Sequence, residues 1–323
     1  MGNRQAETKS TKRAAHPRLR SRPVKRGREL PSLQSKLVTG ALRALNFKAA
    51  LSEPEGLRTY AAKTAPSARD LRGVRRRVSV SGGGPRTRGV VTLAPRRAGG
   101  AHVLYLHGGG FVLPPHNRHW RFLARLASEA GAGVTAPLYP LAPAHGYEEV
   151  IEFLTPIYRD LSQQGSGRLI LMGDSAGANI ALSLLQRARD DDLPTPSKLI
   201  LISPPVDLSF ANPLMKALEP RDPLLTIAGA QAGAAWYAKG IPLRDPRISP
   251  LFGSLDHLPE TQLFIGARDI LLPDVRLFYA RAVAEGVKIE YHEGASMIHC
   301  WPLVTFIPEA KAARRKMVEF ISG

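Results

Sequence analysis

The chain reads as an α/β protein, with a mostly parallel central sheet flanked by helices and a helical cap. Three observations predict this. Strand-like apolar runs alternate with helix-like stretches from Val74 to Phe320. Two of those runs end abruptly in glycine-rich motifs, His107-Gly108-Gly109-Gly110-Phe111 and Gly173-Asp174-Ser175-Ala176-Gly177. And 323 residues suffice for one large core, with neither an internal repeat nor 18 consecutive apolar residues.

The elements follow in order. Ala101 to Leu106 is a short buried strand, and Gly133 to Tyr139 is a second. Tyr147 to Leu161 has helical character. Leu169 to Met172 is a strand that runs into the second glycine motif, and an Ala-rich helix opens near Ala176. Lys198 to Ile202, the apolar run from Leu263, and Val287 to Tyr291 supply further strands. Helices cover Pro273 to Glu285 and Pro308 to Phe320.

The motif at 173–177 carries the first chemical expectation. A serine on a sharp strand-to-helix turn has its hydroxyl pushed out of the sheet. Small residues two before and two after it, Gly173 and Gly177, let the neighbouring backbone pass. The competing reading is a helix that begins with a serine N-cap. The three glycines after the 101–106 strand add unfolded-state entropy, so they fit a loop that must aim bare N–H groups into a cavity. The N–H groups of Gly109, Gly110 and Ala176 would form an oxyanion hole, each such donor being worth roughly 3–4 kcal/mol in a dry site. A plain flexible loop is the alternative. A phosphate cradle fits less well, because no Lys-Ser/Thr follows.

Among nine histidines, position selects His299. It lies on a loop past the last strand, from which it can swing over the sheet edge toward Ser175. His292 competes but abuts a strand end, where a half-exposed structural histidine is expected. Asp269 sits just beyond the strand at 263–266 and would orient the imidazole. Asp274 falls at a helix start and reads as a helix-N-terminal acid. The order Ser175, Asp269, His299 differs from that of chymotrypsin-type and subtilisin-type enzymes and is the one expected of α/β-hydrolases. Cys300, the single cysteine, adjoins the base; it is read as a packing residue rather than a nucleophile.

With these residues in view, the chain resembles the hormone-sensitive-lipase-like branch of the α/β-hydrolase fold, from about Val78 to the C-terminus. The secondary marks are Tyr139-Pro140-Leu141-Ala142-Pro143, Ile248-Ser249-Pro250-Leu251 and Met297-Ile298-His299. The resemblance implies a cofactor-free, metal-free serine carboxylesterase for short to medium acyl esters, with lactone or amide hydrolysis as the alternative on the same machinery. A ligand-binding member without turnover is a further alternative, though such members lose the histidine that is present here. Two positions depart from the family pattern. Ala144 stands where an acidic residue is usual, and Ile270-Leu271 follows Asp269 in place of Pro-Leu.

Charge divides the chain. The formal net charge is +18, but residues 1–100 hold 24 Lys and Arg against 5 Asp and Glu, while residues 101–323 hold 21 against 22. The catalytic part is therefore neutral, and no specific nucleic-acid partner is expected. Residues 1–29 read as a basic disordered extension without the apolar segment of a secretory signal. A transit peptide fits poorly and the myristoylation pattern fails at Ala6. Weak anchoring to anionic lipid or nucleic acid is a hypothesis for this extension. One cysteine and no signal fit a cytoplasmic protein. A homodimer is compatible with such a chain.

Residues 30–73 are expected to form N-terminal cap helices and 74–323 the catalytic domain, with a cap insertion at about 208–247. Leu37, Val38, Ala41, Leu42 and Leu45 lie at helical spacing, with Lys36, Arg43 and Lys48 largely off that stripe. Two readings fit: a cap helix, favoured by the resemblance, or a basic amphipathic helix for membrane surfaces. The insertion contains Leu214, Met215, Leu224, Leu225, Trp236 and Tyr237, which suit an apolar cap or ordinary helix packing.

Overall fold

The computed structural model describes residues 30–50, 52, 54–63, 74–82, 89–97, 99–163 and 168–323. The basic extension at 1–29 lies outside the described residues, as does the end of the expected cap segment at 64–73. Eight strands form one sheet: β1 (Val78–Gly82), β2 (Val90–Pro95), β3 (Ala101–Leu106), β4 (Gly133–Pro137), β5 (Arg168–Asp174), β6 (Lys198–Ile202), β7 (Glu260–Gly266) and β8 (Ile289–Gly294). Their spatial order is β1-β2-β4-β3-β5-β6-β7-β8. β2 runs antiparallel to both its neighbours, and every pair from β4 to β8 is parallel.

Parallel strands covered on both faces read as continuous apolar runs, and their alternation becomes visible only in the packing. Leu104, Leu106, Leu171, Leu199, Leu201, Leu263 and Ile265 face one side. Val103, Tyr105, Ile170, Met172, Ile200, Ile202 and Phe264 face the other.

Ten α-helices surround the sheet among the described residues: α1 (Leu33–Ala44), α2 (Phe47–Ala50), α3 (Pro54–Lys63), α4 (Asn117–Ala130), α5 (Tyr147–Gln163), α6 (Ala176–Asp190), α7 (Leu214–Leu218), α8 (Ile227–Ala238), α9 (Leu272–Ala284) and α10 (Pro308–Ser322). α5, α6 and α9 bury apolar residues on the Leu104 side, whereas α4 and α10 cover the Val103 side. Arg314 of α10 bonds Glu129 of α4 at 2.8 Å, joining the two helices on that second face. The predicted helix boundaries at 147, 273 and 308 agree with α5, α9 and α10 to within two residues at either end.

α1 departs from its sequence pattern. The helix forms, but it buries Ser35 and Thr39, with Val38 and Leu42 half-buried, and leaves Leu33, Leu37 and Leu45 outward. The reason is the surface that α1 meets. Ser35 Oγ lies 3.7 Å from Met297 Sδ, and Thr39 Oγ1 donates to the Ser35 carbonyl at 3.0 Å. Small side chains let the helix approach the loop there, and their hydroxyls are satisfied within the contact. Ser32 caps the helix and also binds the Glu309 carboxylate of α10 at 2.7 and 2.9 Å.

α6 and β3 approach each other closely at Gly177. A Cβ added at Gly177 would lie 2.1 Å from the Leu106 carbonyl oxygen and 2.5 Å from that of His107. Replacing Gly177 with Ala is expected to destabilise the protein by about 1–3 kcal/mol or to prevent folding, read by thermal unfolding. In the core, Leu171 is fully buried. Leu171→Ala is expected to cost about 2–5 kcal/mol, measured as a lowered denaturant midpoint with unchanged slope.

Candidate active site

Ser175 ends the β5 turn at φ 51°, ψ −126°, immediately before the first residue of α6. The left-handed φ is uncommon for a residue with a Cβ and turns the side chain away from the sheet. The Ser175 N–H is held by the Ile202 carbonyl of β6 at 2.8 Å. Close approach explains the glycine on the strand side, since a Cβ at Gly173 would lie 2.4 Å from the Gly177 carbonyl oxygen.

The structure brings three of the predicted residues into one hydrogen-bonded chain. Ser175 Oγ lies 2.9 Å from His299 Nε2, and His299 Nδ1 lies 2.8 Å from Asp269 Oδ2. With Nδ1–H donating to the carboxylate, Nε2 is free to accept from the serine hydroxyl. Asp269 is fully buried, and its other oxygen accepts from the Leu271 N–H at 3.0 Å. Burial opposes the imidazolium of His299, but the Asp269 charge and hydrogen bond outweigh it and raise the pKa well above the usual 6.5. Cys300 follows in the left-handed region, where its N–H is held by Ser203 Oγ at 3.1 Å. Burial pushes its thiol up to about 11, which keeps it neutral.

His292 is not part of this chain. It sits within β8, its ring 4.6 Å from that of Phe264, with burial lowering its pKa. Asp274 lies in the first turn of α9, as the sequence suggests, where it accepts from Asn212 Nδ2 at 2.6 Å. Burial pushes its carboxyl up to about 6.

The glycine loop faces Ser175 across the turn. Gly109 has φ 134° and Gly110 φ 59°. Among the described residues nothing accepts from the N–H groups of Gly109, Gly110 or Ala176, the last being the first residue of α6, where no intrahelical acceptor exists. A group of residues to which the sequence motifs assign no separate role anchors this loop. Buried Asp174 accepts from the Gly108 N–H at 2.9 Å and from the Tyr105 hydroxyl, and lies 3.4 Å from His119 of α4. Desolvation works against its charge, but His119, Tyr105 and the Gly108 N–H hold the carboxyl down at about 2. The Tyr139 hydroxyl donates to the His107 carbonyl, and the two rings stack at 4.3 Å. The signal for this network was Asp174 itself, a charged residue inside an otherwise apolar strand end.

Above the site, α8 closes on the loop. The Phe111 and Tyr237 rings stack at 4.2 Å, and a Cβ at Gly233 would come within 2.6 Å of the Gly110 carbonyl oxygen. Arg58 of α3 lies 4.8 Å over the Trp236 ring. A cavity of about 280 Å³ remains between these elements. Ser175 and His299 line it together with Leu57, Phe111, Leu113, Phe210, Leu224, Leu225, Leu271 and Leu303, while His116, Arg118 and His119 give it a polar side. Of the two departures from the family pattern, Ala144 offers its carbonyl to Lys239 Nζ at 3.0 Å, and Ile270 is fully buried. Among the described residues, no cluster of three or more His, Cys, Asp or Glu is arranged to hold a metal ion, and no helix is long and apolar enough to cross a membrane.

Comparison with known proteins agrees with this architecture. An esterase of Acinetobacter venetianus is 37% identical over 225 residues, covering 68% of this chain and 74% of that protein. An acetyl-hydrolase of Streptomyces hygroscopicus is 34% identical, covering 64% and 70%. The crystal structure of an esterase from the bacterial hormone-sensitive lipase family superposes with a TM-score of 0.75 at 27% identity, over 91% of this chain and 99% of that one. Residues 103–303 match the family described by the α/β hydrolase fold. Sheet order, serine turn and these likenesses together place the chain in the α/β hydrolase fold family, within its hormone-sensitive-lipase-like branch.

Proposed function

We propose that this protein is a serine carboxylesterase that cleaves short to medium acyl esters. The observation that carries the reading is the chain Asp269–His299–Ser175, at 2.8 and 2.9 Å, opening into an apolar cavity beside three unpartnered N–H groups. The similar proteins named esterase and acetyl-hydrolase support the same reaction class.

In this reading His299 takes the Ser175 proton as the oxygen attacks the ester carbonyl. Asp269 holds the imidazole tautomer and stabilises the imidazolium without taking the proton itself. The N–H groups of Gly109, Gly110 and Ala176 receive the developing oxyanion. The C–O bond to the alcohol then breaks, the leaving oxygen takes the proton from His299, and an acyl-enzyme remains. Water repeats the cycle on the acyl group and frees Ser175. Asp174 acts at one remove, fixing Gly108 and thereby the oxyanion loop relative to the serine. The helices at 33–63 and the segment 208–247 serve as the cap. Leu57, Phe210, Leu224 and Leu225 from these segments line the cavity, which supports a role in gripping the acyl or alcohol chain and excluding water.

Ser175→Ala is expected to lower kcat for p-nitrophenyl butyrate by at least about 10⁴-fold, and His299→Ala similarly, while His292→Ala stays near wild type. Near-full activity in purified Ser175→Ala would overturn the assignment. The pH profile gives an independent check. The base must be neutral, and its pKa is raised above 6.5. Activity should therefore fall as pH drops through that raised value, with the acidic midpoint of kcat/KM above 6.5.

A further inference from the structure

Asp222 is a second buried carboxylate beside the proposed triad, and nothing in the acyl-transfer chemistry uses it. It follows a single 3₁₀ turn, Glu219–Arg221, in the segment between β6 and β7, and is 1% exposed. Its two oxygens face two different structures. Oδ1 accepts from the N–H groups of Leu224 and Leu225 at 2.8 and 3.0 Å, and both leucines line the cavity. Oδ2 accepts from the Ile270 N–H at 3.1 Å, one residue past Asp269. The N-terminal helices hold the same turn from outside. Lys48 Nζ donates to the carbonyls of Glu219 and Asp222, and Arg43 donates to that of Arg221.

Three donors at two separated oxygens call for a carboxylate. An amide would turn its NH2 toward at least one N–H, in a place where Ile270 is fully buried. The Ile270 bond also depends on a local feature of this chain. A proline at this position would have no N–H to donate. Ile270 supplies the donor, and Asp222 is placed to accept it.

We infer that Asp222 is a positioning residue, tying the Leu224–Leu225 wall of the acyl pocket to the backbone that sets Asp269, and through it His299. This rests on the esterase reading. The mechanism is geometric: displacement of the wall moves the Ile270 amide, and with it the carboxylate that orients the imidazole. The charge of Asp222 acts in the same place. The groups acting on it are the charges of Asp269 and His299 and the N–H donors of Leu224, Leu225 and Ile270, with the Lys48 ammonium on its own backbone carbonyl. Burial, with the Asp269 charge, pushes its carboxyl up to about 6, while His299 opposes the rise. When ionised it favours the His299 imidazolium.

The test uses the full chain. For Asp222→Asn, kcat on p-nitrophenyl butyrate is expected to fall about 10- to 100-fold while KM stays within about threefold. The acidic limb of kcat/KM should move to lower pH, because the charge that favours the imidazolium is gone. Ile270→Pro removes the N–H and keeps the charge, so kcat should fall without that movement of the limb, and the two losses should be less than additive. Wild-type kcat in both folded variants, or a loss seen only in KM, overturns the inference. A third reading needs no variant: the downfield Nδ1 proton of His299, followed by NMR in the wild-type protein, should show an inflection near pH 6 besides that of His299 itself. A single inflection also overturns it. If the wild type hydrolyses no ester, the esterase reading fails, while the proton signal still reports whether Asp222 acts on the Asp269–His299 pair.

Discussion

Ser175 holds a left-handed backbone conformation that costs a residue with a Cβ about 1–3 kcal/mol and survives only where its surroundings over-determine it. The surroundings here are backbone. Its N–H is fixed by β6, its flanking glycines allow α6 to pass within contact of the β3 carbonyls, and its neighbour Asp174 is anchored to the loop leaving β3. Displace any of these and the hydroxyl no longer meets His299. The sheet order serves the same end, because β3, β5 and β6 are adjacent and parallel, so their carboxyl ends open on one edge.

Four buried carboxylates near that edge show how differently one charge type is accommodated. Asp174 is held down at about 2 by an imidazole, a phenol and a backbone amide. Asp269 faces His299. Asp222 has only backbone donors and a like charge nearby, and rises to about 6. Asp274 keeps one amide partner, with its second oxygen unpartnered, and rises to a similar value. At Asp174, Asp222 and Asp274 desolvation is the largest influence, and it is overcome only at Asp174, where an imidazole adds to the hydrogen-bond donors.

The N-terminal helix shows where sequence pattern and packing part. The stripe of Leu37, Val38, Ala41, Leu42 and Leu45 marks a helix correctly, but only Val38 and Leu42 of it pack against the core, while Leu37 and Leu45 face outward. α1 presents Ser35 to Met297, with Thr39 buried one turn on, because the partner surface admits small side chains there, and a partner surface cannot be read from the helix itself. Much the same holds for Asp222, which has no recognisable spacing to Asp269; the two lie 47 positions apart in the chain before the fold sets them together.

The sequence by itself determined the alternating α/β plan, the serine turn, the glycine loop and which aspartate and histidine pair with Ser175. These are local signals: glycines demanded by close backbone approach, apolar runs demanded by a sheet buried on both faces, and loop residues placed just past strand ends. The tertiary structure alone decided how the 208–247 segment meets the cavity, which face of α1 is covered, and that Asp174, His119 and Asp222 lie where they hydrogen-bond or pair with backbone and side chains around it. Those outcomes depend on burial and on hydrogen bonds between distant segments, whose strength exists only once folding has removed the water between them.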